Sequence, residues 1–524
     1  MSEQLTIEQA INDALNDHNK IEQFDFNTVK HACFMEPNYD YTDTGDAELQ
    51  VNLVEGNVAW VDELNGFAIH GDRWKKDYNG AIIRVSKLLL QERKKELAFY
   101  RRLEKQLKDS SNDYNIKPLQ LQLTQRIKKL ASHCDKIQSK VSIFAIRELF
   151  KAQQGITIQL ANFDSKAHYI GVQNGIVDLR NGDFITHQPE YLMMKSMSVS
   201  FNDKAQCPKF KQFIHEIMLG DEGMIAFIQR LVGQMVLGIT NKDKFVILLG
   251  VGLNGKSVFI DLLIELMADY AEQTEAEVFT DKRNNKDYFK AELVAKRLVA
   301  MNESNRGDKL DSSMVKSCVR SGKVVARSPH RQPFSYQPMF TPVLSTNFLP
   351  YISQDPAVWE RLLIIPFDYV VPDDKREPKL KENLFKEEGE GILNWMIEGA
   401  QQFLAQGLNI PQSLVNKQQE YRLKSDRIAQ FLSDSCVESV SIKDSLSLKA
   451  SFNQVRDGYF IWCKMNNYQA LGSEALQDEL KKKGFKISKN AKGEKTVSHM
   501  NIIDFNETIA LQLHDASVSQ LMEM

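Results

Sequence analysis

The segment Gly250-Val251-Gly252-Leu253-Asn254-Gly255-Lys256-Ser257 constrains this 524-residue chain more than any other. It fits the pattern G-x-x-x-x-G-K-[ST], with the apolar run FVILL directly before it and the amphipathic stretch VFIDLLIELM directly after it. Strand, glycine-rich turn and helix in that order leave few local folds open. Glycines let the backbone turn tightly, so that its N–H groups can surround an anion. The helix that follows adds the positive end of its dipole at the same point. The expected nucleotide site is therefore Gly250, Gly252, Asn254, Gly255, Lys256, Ser257 and Val258, with Lys256 on the β- and γ-phosphates and Ser257 on Mg²⁺. A chance glycine turn is the competing reading, and it explains neither the strand before nor the helix after. ATP and Mg²⁺ are the expected ligands.

Downstream, strands and helices alternate to about residue 367, which predicts an α/β core built on a mainly parallel sheet. Three apolar strands end in chemically useful residues. Arg297-Leu298-Val299-Ala300-Met301-Asn302-Glu303 closes on an acid that suits water polarisation or a water-bridged hold on Mg²⁺. Asn302 stands where many ATPases carry a second acid, so the metal would lean on Ser257, Glu303 and water. Thr341-Pro342-Val343-Leu344-Ser345-Thr346-Asn347 ends in an amide that can orient an attacking water. Trp359-Glu360-Arg361-Leu362-Leu363-Ile364-Ile365-Pro366-Phe367 sets an arginine just before a buried strand, where it could reach a neighbouring subunit's γ-phosphate. A turn-forming Asn347 and a plain surface Arg361 are the alternatives for these two.

Composition narrows the class less. Hydrophobic residues make up 43% and charged residues 26%, ordinary for a globular protein with several cores, and the length suits about three or four domains. A protein coated in nucleic acid is usually far more basic than a formal charge of −3, so any such contact must be local, and near-neutrality is equally compatible with none. Cys33, Cys134, Cys207, Cys318, Cys436 and Cys463 form no CxxC pair, which argues against structural zinc and suits a reducing compartment. The start, MSEQLT, has no signal-peptide pattern, and no apolar run approaches the ~20 residues a membrane span needs. A soluble protein of a cytoplasm, in a bacterial host, is the expectation.

Along the chain, residues 1–40 read as a polar or helical lead. From about Tyr41 to Asp77, turn signals at Glu55-Gly56-Asn57 and Asn65-Gly66 predict short strands of a small sheet. Residues 82–154 carry leucines every three or four positions and predict long charged helices, interrupted at DSSND. NGIVDLRNGDF predicts a hairpin turning at Asn181-Gly182. Helices are expected over about 208–240 and again after about 373. Residues 426–437, 448–466 and 472–484 read as three helices followed by a lysine-rich hairpin, the order of a winged helix. Lys481, Lys482, Lys483, Lys489 and Lys492 concentrate charge there for duplex or origin DNA, a solvated basic face being the alternative.

Taken together, GVGLNGKS, RLVAMNES, CVRSGKVVARSPHRQPFSYQP, PVLSTN and WERLLIIPF resemble the superfamily-3 helicases. The resemblance is to the helicase half of phage and plasmid primase-helicases and to the related poxvirus-type proteins. TDTGDAELQ, WVDELNGFAIHGDRWKKD and NGIVDLRNGDFITH are similar to the N-terminal module of that family, so the likeness covers about residues 40–500. It implies an AAA+-like P-loop core with an α+β N-terminal module, a helical collar and a C-terminal winged helix. Lys256 and Ser257 take the Walker A roles, Glu303 the Walker B role, Asn347 that of sensor 1, and Arg361 that of an arginine finger acting between subunits of a homo-hexamer. Residues 316–338 match the family's B′ element, whose tip would carry His330 and Arg331 into the ring channel, with Lys323 and Arg327 nearby.

The implied divisions are 1–40 lead, 41–205 N-terminal module, 206–240 collar, 241–395 ATPase core, 396–425 connector, 426–505 winged helix and 506–524 tail. The implied activity is ATP-dependent unwinding of single-stranded and forked DNA, with 3′→5′ movement, in replication of a phage, plasmid or other mobile element. About 40 residues before the family module are too few for a primase domain, and no apolar strand carries a D-x-D pair, so a separate primase and other replication proteins are expected as partners. A small-molecule P-loop kinase would be indifferent to DNA. A DNA-binding initiator using ATP only as an assembly switch would bind without separating strands.

Overall fold

The computed structural model describes residues 39–78, 80–109, 117–239, 244–275, 291–302, 310–312, 315–316, 323–327, 333–350, 352, 355–438, 449–466, 468, 470–490, 492–498 and 500–502. The expected lead and tail, Glu303, His330 and Arg331 lie outside these residues.

Among the described residues the first element is helix α1 (Asp43–Val54), followed by an antiparallel sheet of β1 (Val58–Val61), β2 (Gly66–His70) and β3 (Trp74–Lys76). The expectation of strands from Tyr41 onward is thus corrected: QVNLV is helical and the sheet begins after Gly56. Thr42 caps the helix by accepting from the Gly45 N–H, and Glu55 ends it in the left-handed conformation. The reason lies in what α1 buries. Asp46 and Gln50 are both fully buried, and Asp46 accepts from Arg93 Nε at 2.9 Å and meets His133 Nε2 at 2.7 Å. Arg93 comes from the long helix α2 (Ala81–Asp109) and His133 from α3 (Lys117–Lys136), with α4 (Lys140–Lys151) completing the bundle. These three helices occupy the stretch in which leucine spacing predicts them.

β4 (Tyr169–Val172), β5 (Gly175–Asp178) and β6 (Asp183–Ile185) form a second antiparallel sheet. The Asn181-Gly182 turn is present, but the Asp178–Asp183 pairing encloses four residues and only Gly182 has positive φ. Asp178 explains the wider loop: its carboxylate accepts from the Arg180 N–H and its carbonyl from the Gly182 N–H. Two helices follow, α5 (Pro208–Ile217) and α6 (Glu222–Leu237).

The centre is a five-stranded parallel sheet. β7 (Phe245–Leu249), β8 (Ala271–Glu275), β9 (Leu298–Asn302), β12 (Thr341–Thr346) and β13 (Leu362–Pro366) lie in the order β13-β7-β12-β9-β8. α7 (Lys256–Met267) leaves β7, and a small hairpin of β10 (Val324–Ala326) and β11 (Phe334–Tyr336) precedes β12. Continuous apolar strands are what a sheet covered on both faces requires. Val246, Leu248, Leu298, Ala300, Leu363 and Ile365 face one core, while Phe245, Ile247, Val299, Met301, Leu362 and Ile364 face the other. The alternation follows from the two-residue period of a strand.

The first core also takes in Ile170, Val172 and Ile176 from β4 and β5, and Leu393, Met396 and Ala400 from α9 (Leu380–Gln406). The second sheet therefore packs as part of the parallel-sheet body, and α9 runs unbroken through residue 395, where a boundary between core and connector was expected. α6 and α9 touch backbone to backbone. A Cβ on Gly233 would collide with Gly399 and Ala400, and one on Gly399 with the Gln229 carbonyl. Arg297, fully buried, ties α6 to β4: its guanidinium donates to the carbonyls of Val236 and Tyr169 and lies 4.7 Å from the Tyr270 ring centre.

Beyond α8 (Pro356–Trp359), β13 and α9, α10 (Gln412–Ser425) shields the sheet edge, with Gln418 bonded to the backbone of Leu362 and Ile364. The last unit has its own core around Phe431, Tyr459 and Trp462. It consists of α11 (Arg427–Ser435), β14 (Cys436–Glu438), β15 (Lys449–Ser451), α12 (Phe452–Met465), α13 (Ser473–Lys482), β16 (Lys486–Lys489), β17 (Lys495–Ser498) and β18 (Met500–Ile502). β16 and β17 form a hairpin that β15 extends to three strands.

Candidate nucleotide-binding site

In an open parallel sheet, ligands settle at the carboxyl ends of the strands, where neighbouring connections diverge. Residues 250–255 sit there, at the carboxyl end of β7 between β13 and β12. The loop holds its shape through backbone conformations that few residues adopt: Gly252, Leu253 and Gly255 all have positive φ. Gly255 is the residue before α7 and has no room for a side chain, since a Cβ would sit 2.6 Å from Ile217 Cγ2. At Gly250 a Cβ would collide with Asn254 and the Phe367 carbonyl.

Lys256 is only 4% exposed. Its Nζ donates to the Gly250 carbonyl at 2.5 Å, Asn254 Oδ1 at 3.0 Å and Asn347 Oδ1 at 3.3 Å. The amine is thus held over the loop by three oxygens. These three acceptors are amide and carbonyl oxygens, which an anion placed over the loop can displace. Asn254 works as a strut, its Nδ2 donating to the Phe367 carbonyl at 3.0 Å while its Oδ1 receives Lys256. Asn347, one residue beyond β12, also accepts from the Gly252 N–H at 3.4 Å. Ser257 is exposed on the first turn of α7, and Val258 is half-buried behind it. The hydroxyl, the lysine and the loop N–H groups are the donor set that a triphosphate with Mg²⁺ requires, and they fit it.

Glu303 lies outside the described residues. Its strand is placed: Asn302 pairs with Ser345, so β9 leaves the sheet at the edge where Asn347 meets the loop. Arg361 is at the other edge. It immediately precedes β13, whose first residue pairs with Phe245, so it lies at the amino end of the strands. The five residues of β13 separate it from the loop by about 16 Å. Its Nη1 donates to the Ala357 carbonyl at 2.5 Å, and its Nε is buried without a partner. The structure therefore brings Gly250, Gly252, Asn254, Gly255, Lys256, Ser257 and Asn347 together and keeps Arg361 apart from them within one chain.

Lys323 and Arg327 are exposed on the stem of the β10–β11 hairpin, whose tip, with His330 and Arg331, is outside the described residues. In the last unit, Lys481 pairs with Asp478 and Lys482 with Glu479, the latter bond raising the Lys482 amine above the usual lysine range. Lys483 is turned inward onto Asp426 at 2.5 Å, tying α13 to the start of α11. Lys489 and Lys492, by contrast, stand exposed on the β16–β17 hairpin. The residues that sequence reasoning missed are Phe367 and Thr346, whose carbonyls receive Asn254 and the Gly250 N–H. They act through main-chain oxygens, which carry no signature in a side-chain pattern.

Three family models match the chain: D5 N terminal like over residues 47–219, Family of unknown function (DUF5906) over 248–361, and Poxvirus D5 protein-like over 423–509. A protein of Acanthamoeba polyphaga mimivirus described as "Putative helicase L207/L206" is 25% identical over 324 residues, which is 57% of this chain and 34% of the relative. The match thus spans about a third of that relative's length. Solved structures of the NrS-1 C terminal region align at 10% identity, one with a TM-score of 0.44 over 87% of this chain and 99% of the other, another with 0.42 over 86% and 98%. Among the described residues no helix is long and apolar enough to cross a membrane. With matches to the D5 N terminal like and Poxvirus D5 protein-like models on either side of a parallel α/β body, the chain is similar to D5-type proteins at both ends of that body.

Proposed function

We propose that this protein is an ATP-driven DNA helicase that works as a homo-hexameric ring in the replication of a phage, plasmid or other mobile element. The observation that carries the reading is the Lys256 amine, held by Gly250, Asn254 and Asn347 at the carboxyl edge of β7 and β12. It supports a P-loop ATPase core. In that core the loop N–H groups and Lys256 bind the β- and γ-phosphates, and Asn347 positions the attacking water beside them. Mg²⁺, held by Ser257 and by Glu303 through water, would neutralise charge between those phosphates. Glu303 polarises the water.

Arg361 cannot serve the loop of its own chain at about 16 Å. It therefore completes the site of the next subunit, which supports a ring. The described hairpin stem supports a channel-facing β10–β11 element, with Lys323, Arg327, His330 and Arg331 on single-stranded DNA. Repeated around a narrow pore, these few cations make a strong field even in a chain of formal charge −3. Three helices followed by the β16–β17 hairpin support a winged-helix unit that engages origin duplex, chiefly through Lys489 and Lys492 and with Lys481 and Lys482 alongside. Lys483 serves that unit's own packing. Movement is 3′→5′.

The deciding experiment is ATP-dependent unwinding of a forked DNA, with Lys256→Ala and His330→Ala/Arg331→Ala alongside. The expected pattern is loss of hydrolysis and unwinding in the first, and retained hydrolysis without unwinding in the second. Hydrolysis indifferent to DNA, with no strand separation by the native protein, would overturn the helicase reading in favour of a nucleotide-dependent assembly switch or a small-molecule NTPase.

A further inference from the structure

The N-terminal region carries a second feature with the chemistry of nucleic-acid binding, far along the chain from the motor loop. A recess of about 390 Å³ opens between β2, the start of α2 and the end of α4, lined among others by Trp60, Phe67, Arg147 and Lys151. Two aromatic rings stand in solvent beside lining residues: Tyr78, next to Asp77, is 79% exposed, and Phe144, whose ring meets Arg147, is 44% exposed. Cations lie against each ring. Lys76 Nζ is 4.8 Å from the Tyr78 ring centre, the Arg147 guanidinium is 4.4 Å from that of Phe144, and Lys140 Nζ is 5.9 Å from the same ring. Lys151 Nζ stands 3.7 Å above the Trp60 ring and fills that face, so Trp60 forms the wall and Tyr78 and Phe144 are the open platforms.

The charge balance points to an anion. With Arg84, the patch gathers five cations against three carboxylates, in a chain whose formal charge is −3. Each carboxylate is engaged: Asp62 receives the Trp60 N–H, Asp77 caps α2 and pairs with Arg84, and Glu148 is shared between Arg147 and Lys151. Single exposed rings are common on protein surfaces; here two of them, each with a cation against it, stand beside one recess. Rings and cations interleaved around a recess are the means by which proteins hold unstacked bases and the backbone between them. A duplex keeps its bases stacked and paired, out of reach of the rings, and the recess has the volume of one small ligand rather than of a groove-reading surface.

We propose that this patch is an auxiliary binding site for single-stranded DNA, with bases on Tyr78 and Phe144 and phosphates on Lys76, Lys140, Arg147 and Lys151. It is separate from the channel contacts under Proposed function and does not depend on them.

The test uses the full chain, photocrosslinked to a thymidine oligonucleotide containing 5-iododeoxyuridine, with crosslinked peptides mapped. Adducts at Tyr78 and Phe144 are expected. Tyr78→Ala/Phe144→Ala should weaken single-strand binding about tenfold, and Arg147→Gln/Lys151→Gln should flatten its salt dependence. DNA-independent ATPase should stay unchanged in both, since none of these residues touches the loop. The rings are exposed, so the first pair leaves folding intact, and unfolding would show as loss of that ATPase. Binding that persists in His330→Ala/Arg331→Ala and disappears when the ring pair is added assigns the remainder to the patch. The proposal is overturned by unchanged affinity in both patch variants with adducts confined to other segments. It is equally overturned if duplex DNA or RNA displaces the oligonucleotide more readily than unlabelled single strand does.

Discussion

At the scale of single residues the loop is a set of interlocked donors and acceptors, and its members should fail differently. Lys256→Ala removes the buried amine over the loop and is expected to lower the ATPase rate by about 100-fold or more, as loss of a preorganised charge contact at a reacting phosphate does. Asn347→Ala keeps the strand and the lysine, so a coupled phosphate-release assay should show kcat falling by about 10- to 100-fold with KM little changed. A fall in KM affinity with normal kcat would assign Asn347 to binding instead. The strand, turn and helix around residues 250–257 were legible in sequence because glycines between an apolar run and an amphipathic stretch mark a tight turn between the two. Asn254 was legible as a member of that loop but not as a strut, because its partner is the Phe367 main-chain carbonyl, 113 residues away. Arg93 and Arg297 were invisible for the converse reason. A cation at 1% or 0% exposure is legible only when its partners are known, and here they are Asp46, Tyr169 and Val236, brought in by tertiary folding.

Elements whose apolar residues follow one period read correctly. β7, β9 and β13 are nearly continuous apolar runs, and α2 to α4 repeat apolar residues at helical spacing. α1 read wrongly because its buried face includes Gly45, Asp46 and Gln50, so hydrophobic spacing there is broken while Val51 and Val54 suggest a strand. Local preference lost to a tertiary salt link. The meeting of α6 and α9 was equally hidden, since nothing in a glycine says what it approaches. It yields a test at this scale. Gly233→Ala or Gly399→Ala forces the two backbones apart and should destabilise the protein by about 1–3 kcal/mol, lowering the melting temperature by several degrees. Gly71→Ala is the control, since a Cβ there meets open space outside the positive-φ region and outside any helix cap, and calorimetry should show no change. Equal melting temperatures in all three would mean the close packing of α6 on α9 contributes nothing to stability.

At the scale of the whole molecule, the separation of Arg361 from Lys256 makes a prediction about mixtures. Lys256→Ala and Arg361→Ala subunits are each expected to be inactive alone. Combined before assembly, they form some junctions with an intact loop on one side and an intact arginine on the other, and part of the ATPase activity should return, as in any composite site. No recovery at any ratio would place Arg361's action within its own chain or remove it from the chemistry. The division of the chain was legible only in outline. The sheet β4-β5-β6 and helix α9 belong to the parallel-sheet body through side chains scattered over residues 170–414, a range no local boundary signal spans. The contact of Gly233 with Gly399 also limits how this body can move. Two helices separated by a layer of side chains can slide by trading one set of rotamers for another, but backbones in direct contact have no such gears to shift. Sliding of α6 along α9 is closed off, and the block they form turns as one piece, with bending left to the segments outside it.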